Sequence, residues 1–323
     1  MPVSEEAVIW GYRLVLGRDP ESEKVIVDKM QLEDSICLLR ELLESQELVV
    51  SGRRDLLFPN LAIANHKPEA AAPLRITEME DGRSSISLCD LPRHCFRHET
   101  AAKMNGTVIF PAGGENSLGQ ISLGYHGGDD PVAVSGILID LKSFPQLYVD
   151  IADSNQVISF GENCTGAWVF RLWGECNISI GNNVTSNGVE CMVNPGGKLV
   201  VGEDCMFANA FIHVGDNHAV IDLDSGQLIN YSDHPQVLIK EHVWIASRVA
   251  IFADTLVESG SILGAGAIVK GNFPGCALIV GVPARPVREG VSWTRNLDGS
   301  AVEDVIDRFR RASEHESEQR IGG

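Results

Sequence analysis

Two histidines, His213 and His218, stand five positions apart, with Asp216 between them and Asp222 and Asp224 just beyond. Imidazole titrates near neutral pH, so a histidine can take a proton from a bound hydroxyl and return it later. A nearby carboxylate would fix the ring's tautomer, and Asp216, Asp222 or the more distant Glu190 could serve. The chain carries no Gly-x-Ser-x-Gly turn, so nothing marks a serine nucleophile of that kind. His218 is the candidate base. His213 is open to a catalytic or a structural role.

Such residues need a rigid frame, and the flanking sequence describes one. Ile239, Ile245, Ile251, Val257, Leu263 and Val269 recur at every sixth position. A helix repeats every 3.6 residues and a strand every 2, so neither explains the stride. Six-residue units belong to a chain wound as a parallel β-helix, each unit forming one side of a triangular prism. Three units make a turn, the stride residue faces the bore, and Val243, Val249, Thr255, Ser261 and Ala267 are the small or β-branched residues at the corners. Upstream, Ile180, Ser186 and Met192, then Val201, Phe207 and His213, keep the stride, with a slip at Asn194-Pro195-Gly196-Gly197. The 25 residues between His213 and Ile239 break it. A loop thrown out of a solenoid is where binding chemistry is expected, and both histidines lie on or beside it.

Composition sets the class. The chain has 323 residues, 44% hydrophobic and 22% charged, with a formal net charge of −18. That length holds two or three domains. No apolar run has membrane-spanning length and no signal peptide is visible. The charge argues against a nucleic-acid partner. Eight cysteines without a CxxC pair fit a reduced, cytoplasmic setting with no disulfide framework. Residues 1–55 read as helical, with Val8, Ile9, Tyr12 and Leu16, then Ile36, Leu39, Leu42 and Leu43, at helical spacing. Residues 56–73 read as a linker, 74–150 as a β-rich region without an assigned role, 151–290 as the β-helix, and 291–323 as a C-terminal helical cap. The cap presents Val302, Val305, Ile306 and Phe309 on one face, to cover an open sheet end.

Residues 178–293 resemble the hexapeptide-repeat acyltransferases, especially the O-acetyltransferases acting on sugars and polysaccharides. His213-Val214-Gly215-Asp216-Asn217-His218 is similar to that family's catalytic-loop segment. Ile229-Asn230 and Glu241-His242-Val243-Trp244-Ile245-Ala246 are similar to the stretch that resumes the coil. Leu263-Gly264-Ala265-Gly266-Ala267-Ile268-Val269 resembles its glycine-alanine-glycine turn, and Gly281-Val282-Pro283-Ala284-Arg285 its closing motif. The resemblance implies a mainly β, left-handed β-helix and a homotrimer with active sites between neighbours. It implies acetyl-CoA as co-substrate and a carbohydrate acceptor. His218 would be the general base, with Asp216 and Glu190 as its catalytic partners, and the Ser247 N–H would hold the oxyanion. Trp244, Ala246, Gly264, Ala265, Lys270, Arg285 and Arg288 would bind the cofactor, and no metal is implied. Two positions depart from the family: Gly271 where lysine is frequent, and Ala246 where glycine is usual. The N-terminal stretch resembles a small helical domain through Tyr12, Leu16-Gly17-Arg18 and Ser45-Gln46-Glu47.

Two other classes compete. Gamma-type carbonic anhydrases share the β-helix and bind zinc through histidines, and His213 and His218, with four residues between them, match part of that spacing. No histidine lies between His126 and His213 to complete the set. A non-catalytic trimeric scaffold is the third reading. Among the remaining residues, His242 is expected to shape a corner, Trp244 to pack or to touch the cofactor, and Arg285 and Arg288 to bind phosphate or to join subunits.

Overall fold

The computed structural model describes residues 3–12, 20, 22–31, 38, 42, 74–97, 101–127, 134–230, 232–298 and 301–310. The chain divides into two units, residues 1–70 and 71–323. In the first, helix α1 (Glu5–Gly11) starts at Ser4, whose hydroxyl accepts from the Ala7 N–H at 3.1 Å. Helix α2 (Glu23–Lys29) starts at Ser22, which accepts from the Val25 N–H at 3.4 Å. Each serine satisfies an N–H that the first helical turn leaves without a partner. Val8, Tyr12, Leu38 and Leu42 form the unit's small core. Leu16-Gly17-Arg18, Ser45-Gln46-Glu47 and the 56–73 linker lie outside the described residues.

The second unit is a left-handed parallel β-helix. A short antiparallel entry, Ile76–Glu78 on Arg83–Ser87 on Gly106–Pro111, leads into it. Parallel pairing begins where Gly106–Pro111 meets Ile137–Leu141. The ladder therefore starts inside the 74–150 region and runs unbroken through residues 150 and 151, where the sequence suggested a boundary.

The prism has three sides. The first carries Gln146–Ile151, Ala167–Leu172, Val189–Val193, residues 210–214 and residues 249–253. The second carries Gln156–Phe160, Cys176–Ile180, Lys198–Val201 and Gln236–Ile239. The third carries Thr185–Ser186, residues 206–207, residues 244–245, Ile262–Leu263 and Ala277–Val280. Each corner is a column of left-handed backbone. The first–second corner holds Asn155, Gly174, Gly196, Gly215, Asp254 and Gly271; the second–third holds Asn163, Asn183, Asp204, His242, Gly260 and Cys276; the third–first holds Gly166, Gly188, Arg248, Gly266 and Gly281. Glycine, asparagine and aspartate tolerate this conformation best.

The coils differ in length along the prism. Trp168 pairs with Val189 and Val189 with Ala210, each 21 positions on. Downstream, Trp244 pairs with Ile262 and Val237 with Thr255, each 18 positions on. The 18-residue turn thus holds for the downstream coils, where Ile239, Ile245, Ile251, Val257, Leu263 and Val269 are all buried, as are Val243, Val249, Thr255, Ser261 and Ala267. Upstream the stride fails at two expected positions. Met192 and His213 face outward, while Cys191, Val193, Ile212 and Val214 face the bore. The cause is one residue fewer at the third–first corner: Ser186 to Cys191 and Phe207 to Ile212 are five positions each, where the matching Ile245 to Ile251 is six. An odd change in residue number flips every following side chain to the other face.

Residues 302–310 are helical. Phe309 lies 5.3 Å from the His242 ring and against Gly260, while Val302 and Ile306 stay exposed. The described part of this helix therefore packs along the second–third corner. The expected cap over the open end is not what these residues form, because Phe309 finds its apolar seat beside His242.

Candidate active site

The loop leaves the first side at Val214 and rejoins the second at Gln236. Inside it Ile221 bridges Leu228 in antiparallel fashion. The turn between them is closed by Asp222, whose Oδ1 accepts from the N–H groups of Asp224 and Ser225 and from the Ser225 hydroxyl, at 3.1, 2.7 and 2.8 Å. Those bonds, the Ser225 N–H foremost, hold the Asp222 carboxyl below its ordinary range. Asp222 is thus committed to the turn and does not orient His218.

Two asparagines fix the loop's base. Asn194 donates through Nδ2 to the Asp216 carbonyl at 2.9 Å and to Asn217 Oδ1 at 3.0 Å, and its Oδ1 lies 3.3 Å from His213 Nε2. Asn230 accepts from the Val220 N–H at 2.7 Å and donates to the His218 carbonyl at 2.8 Å. Sequence reasoning saw Asn194 only as a turn residue and Asn230 only as part of a motif. A short amide beside a loop that must present an exposed histidine was the available signal.

The His218 side chain is exposed and borders a cavity of about 430 Å³, together with Asn194, Asp216, Asn217, Asp233 and Asp254. Among the described residues no carboxylate hydrogen-bonds the His218 ring. Asp216 keeps an exposed carboxylate beside it. Glu190 lies on the first side in an ion pair with Arg171, away from the loop. His213 sits on the first side with Phe211 and Phe252, at ring distances of 6.1 and 6.5 Å. Among the described residues no three metal-ligating groups gather.

The other candidates collect elsewhere. Ala246, Ser247, Gly264 and Ala265 line the third–first corner, where the Gly266 N–H donates to the Ser247 carbonyl at 3.0 Å. Arg285–Glu289 folds back antiparallel on Ala277–Val280, placing exposed Arg285 and Arg288 beside that corner on the third side. Trp244 stands on the same side, 6.2 Å from Trp293. Lys270 is separate: it follows Ile268 across the first side toward Gly271. Gly271 has φ of 108°, a conformation a lysine would adopt only with strain. One full side separates Ser247 from Asp254, roughly 16–20 Å for five or six extended residues. The candidate residues of a single chain therefore fall on two corners.

His242 shapes the remaining corner, as expected. Its φ is 55°, its ring stacks on Trp293 at 4.4 Å and 16°, and Nδ1 lies 2.6 Å from Asp204 Oδ2. Trp293 Nε1 donates to the His242 carbonyl at 2.9 Å. Burial raises the Asp204 pKa, but the bonds to His242 and Arg295 outweigh it and hold the carboxyl below its ordinary value.

This architecture recurs among known proteins. The chain is 26% identical over 141 residues to a putative lipopolysaccharide biosynthesis O-acetyl transferase of Escherichia coli, covering 41% of this chain and 71% of that one. It is 26% identical over 153 residues to the polysialic acid O-acetyltransferase of Neisseria meningitidis, covering 47% and 62%. Both relatives are sugar O-acetyltransferases of the hexapeptide-repeat family. A galactoside O-acetyltransferase of Escherichia coli is 30% identical over 135 residues, covering 40% of this chain and 62% of its own length. Several relatives are thus matched over less than two thirds of their length. The crystal structure of the polysialic-acid-specific acetyltransferase NeuO shares the fold, with a TM-score of 0.50 at 21% identity, over 61% of this chain and 98% of that one. No protein-family profile matches the chain. No helix among the described residues is long and apolar enough to cross a membrane.

Proposed function

We propose that this chain is an acetyl-CoA-dependent O-acetyltransferase acting on a sugar hydroxyl of a glycan or activated sugar, in the cytoplasm. The carrying observation is the sorting of its candidate residues onto two corners. One holds an exposed histidine over a polar cavity. The other holds small residues and two exposed arginines in an acidic chain.

Acetyl-CoA is long and polyphosphorylated. Gly264 and Ala265 leave room for its pantetheine arm, and Arg285 and Arg288 supply charge-assisted hydrogen bonds to phosphate. The acceptor hydroxyl attacks the thioester carbonyl carbon while His218 takes its proton. The carbonyl oxygen becomes an oxyanion, which the Ser247 N–H stabilises. Collapse breaks the C–S bond, and the CoA thiolate leaves with the proton returned by the imidazolium. The acetyl group ends on oxygen and His218 is restored.

The two half-sites meet when a neighbouring copy lays its Ser247 corner against this chain's loop. We infer a homotrimer closed by rotation, with three such sites. The exposed apolar residues of the loop (Ile221, Leu223, Leu228 and Ile229) and of the closing segment (Val282 and Val287) supply surface for that contact. Mass spectrometry of oligosaccharides incubated with enzyme and acetyl-CoA tests the reading. An acetyl adduct is expected, and unmodified glycans across a broad panel would contradict it.

A further inference from the structure

Resting on the acetyltransferase reading, the geometry points to an uncharged, extended glycan as the acceptor. Its reacting sugar lies in the His218 cavity and its next unit rests on Trp173 and His126. The cavity is lined by three aspartates, Asp216, Asp233 and Asp254, and by Asn194, Asn217 and Asn230, with no lysine or arginine among its lining residues. Ionised carboxylates only accept hydrogen bonds and amides both donate and accept, which suits sugar hydroxyls and repels an anionic sugar.

The neighbouring coil continues this character. Pro195, which lines the cavity, sits against Gly174, and the residue before Gly174 is Trp173. Trp173 meets the exposed His126 edge to face, at 4.8 Å and 75°. The backbone stacks these positions in one column: the N–H of His126 bonds Ile151, that of Trp173 bonds Val193, and that of Asn194 bonds Val214. Adjacent coils lie about 4.8 Å apart, so the ring pair begins one rung from the cavity. Desolvation of the ring, opposed by the Asp150 charge, lowers the His126 pKa below its ordinary value. The two arginines on the same side are already matched, Arg97 with Asp150 and Arg171 with Glu190. Among the described residues that line the cavity or carry the ring pair, none is a lysine or arginine.

Calorimetry on the assembled enzyme tests this independently of turnover. The probes are neutral gluco-, galacto- and manno-oligosaccharides of three to four units, and an oligosialic acid of the same length. At least one neutral probe should bind, with little salt dependence. The oligosialic acid should bind roughly tenfold more weakly per charge (about 1.4 kcal/mol), with the gap closing as salt rises. Asp254→Asn keeps the size and tolerates the left-handed corner, and should narrow the gap. Trp173→Ala should weaken a tetrasaccharide about tenfold or more while leaving a monosaccharide unchanged. Tighter binding of the oligosialic acid overturns the inference, as does binding of none of the neutral probes or a Trp173→Ala effect equal for both lengths. Neutral probes that bind but are never acetylated leave the charge and length inference standing and overturn the acetyltransferase reading instead.

Discussion

The upstream and downstream coils are wound on one plan yet filled differently. Upstream coils of 20 or 21 residues enclose a bore wide enough for rings: Phe160, Trp168, Phe170 and Phe207 are buried within 5.2 to 6.3 Å of a neighbouring ring centroid. Coils of 18 residues enclose a narrow bore filled by Ile245, Val249, Ile251, Val257 and Leu263. The extra residues sit at the first–second corner, where Cys191 to Val201 spans ten positions against six from Ile251 to Val257. The loop leaves at the seam between the two kinds, where Lys198 pairs with Gln236, 38 positions on. A coil that must change size there already breaks its regular ladder, and the proposed chemistry occupies that break.

The largest effect is expected at the seam. His218→Ala should lower acetyl transfer by about 10²–10⁴-fold, read as kcat with acetyl-CoA affinity and melting temperature nearly unchanged, since the residue is exposed on a loop. Comparable losses in both affinity and turnover would place His218 in cofactor binding instead. The two bores differ next. Trp168→Ala should cost about 3–5 kcal/mol of unfolding free energy, against about 0.5–1.5 kcal/mol for Ile251→Val, both read from denaturant midpoints. Equal costs would mean that the aromatic stack is not what fills the wider coils. Trp168 also buries an unpaired Nε1–H, so Trp168→Phe should cost less than its lost volume implies.

These contrasts explain what the sequence displayed and what it hid. The downstream stride is legible because 18 divides into sixes without remainder. The upstream coils hide it: a third–first corner one residue shorter, at Asn187-Gly188 and at Ala208-Asn209, turns Met192 and His213 outward, so their periodicity misleads. The corner columns carry a second signal in Asn163, Asn183 and Asp204, but left-handed asparagine and aspartate leave no hydrophobic pattern. At the site, His218 and the Ser247 corner were visible as motifs. Asn194 and Asn230 were not, because their roles are long-range hydrogen bonds. Asp222, one of three carboxylates that could have fixed the base's tautomer, is excluded for a local reason, since its carboxylate closes its own turn.

Smaller effects sharpen the comparison. Arg285→Ala with Arg288→Ala should weaken acetyl-CoA binding by roughly 1.5–3 kcal/mol for each lost charge-assisted bond, reduced by solvent screening, and leave the upstream coils untouched. Unchanged affinity in calorimetry would assign the arginines to the subunit contact. Burial pushes the thiols of Cys95, Cys176 and Cys205 up to about 12, whereas Cys89 is exposed. Iodoacetamide at neutral pH should label Cys89 in the native protein and spare those three until it unfolds.

The central claim is that a working site is built from the loop of one copy and the Ser247 corner of another. Two inactive variants test it, His218→Ala on the loop and Ala265→Trp at the exposed corner. Unfolded together and refolded as mixed trimers, they should recover activity approaching a quarter of the wild-type value, from counting intact interfaces in randomly mixed rings. Activity no higher than that of either variant alone, with mixed trimers shown by native mass spectrometry, would contradict the shared site.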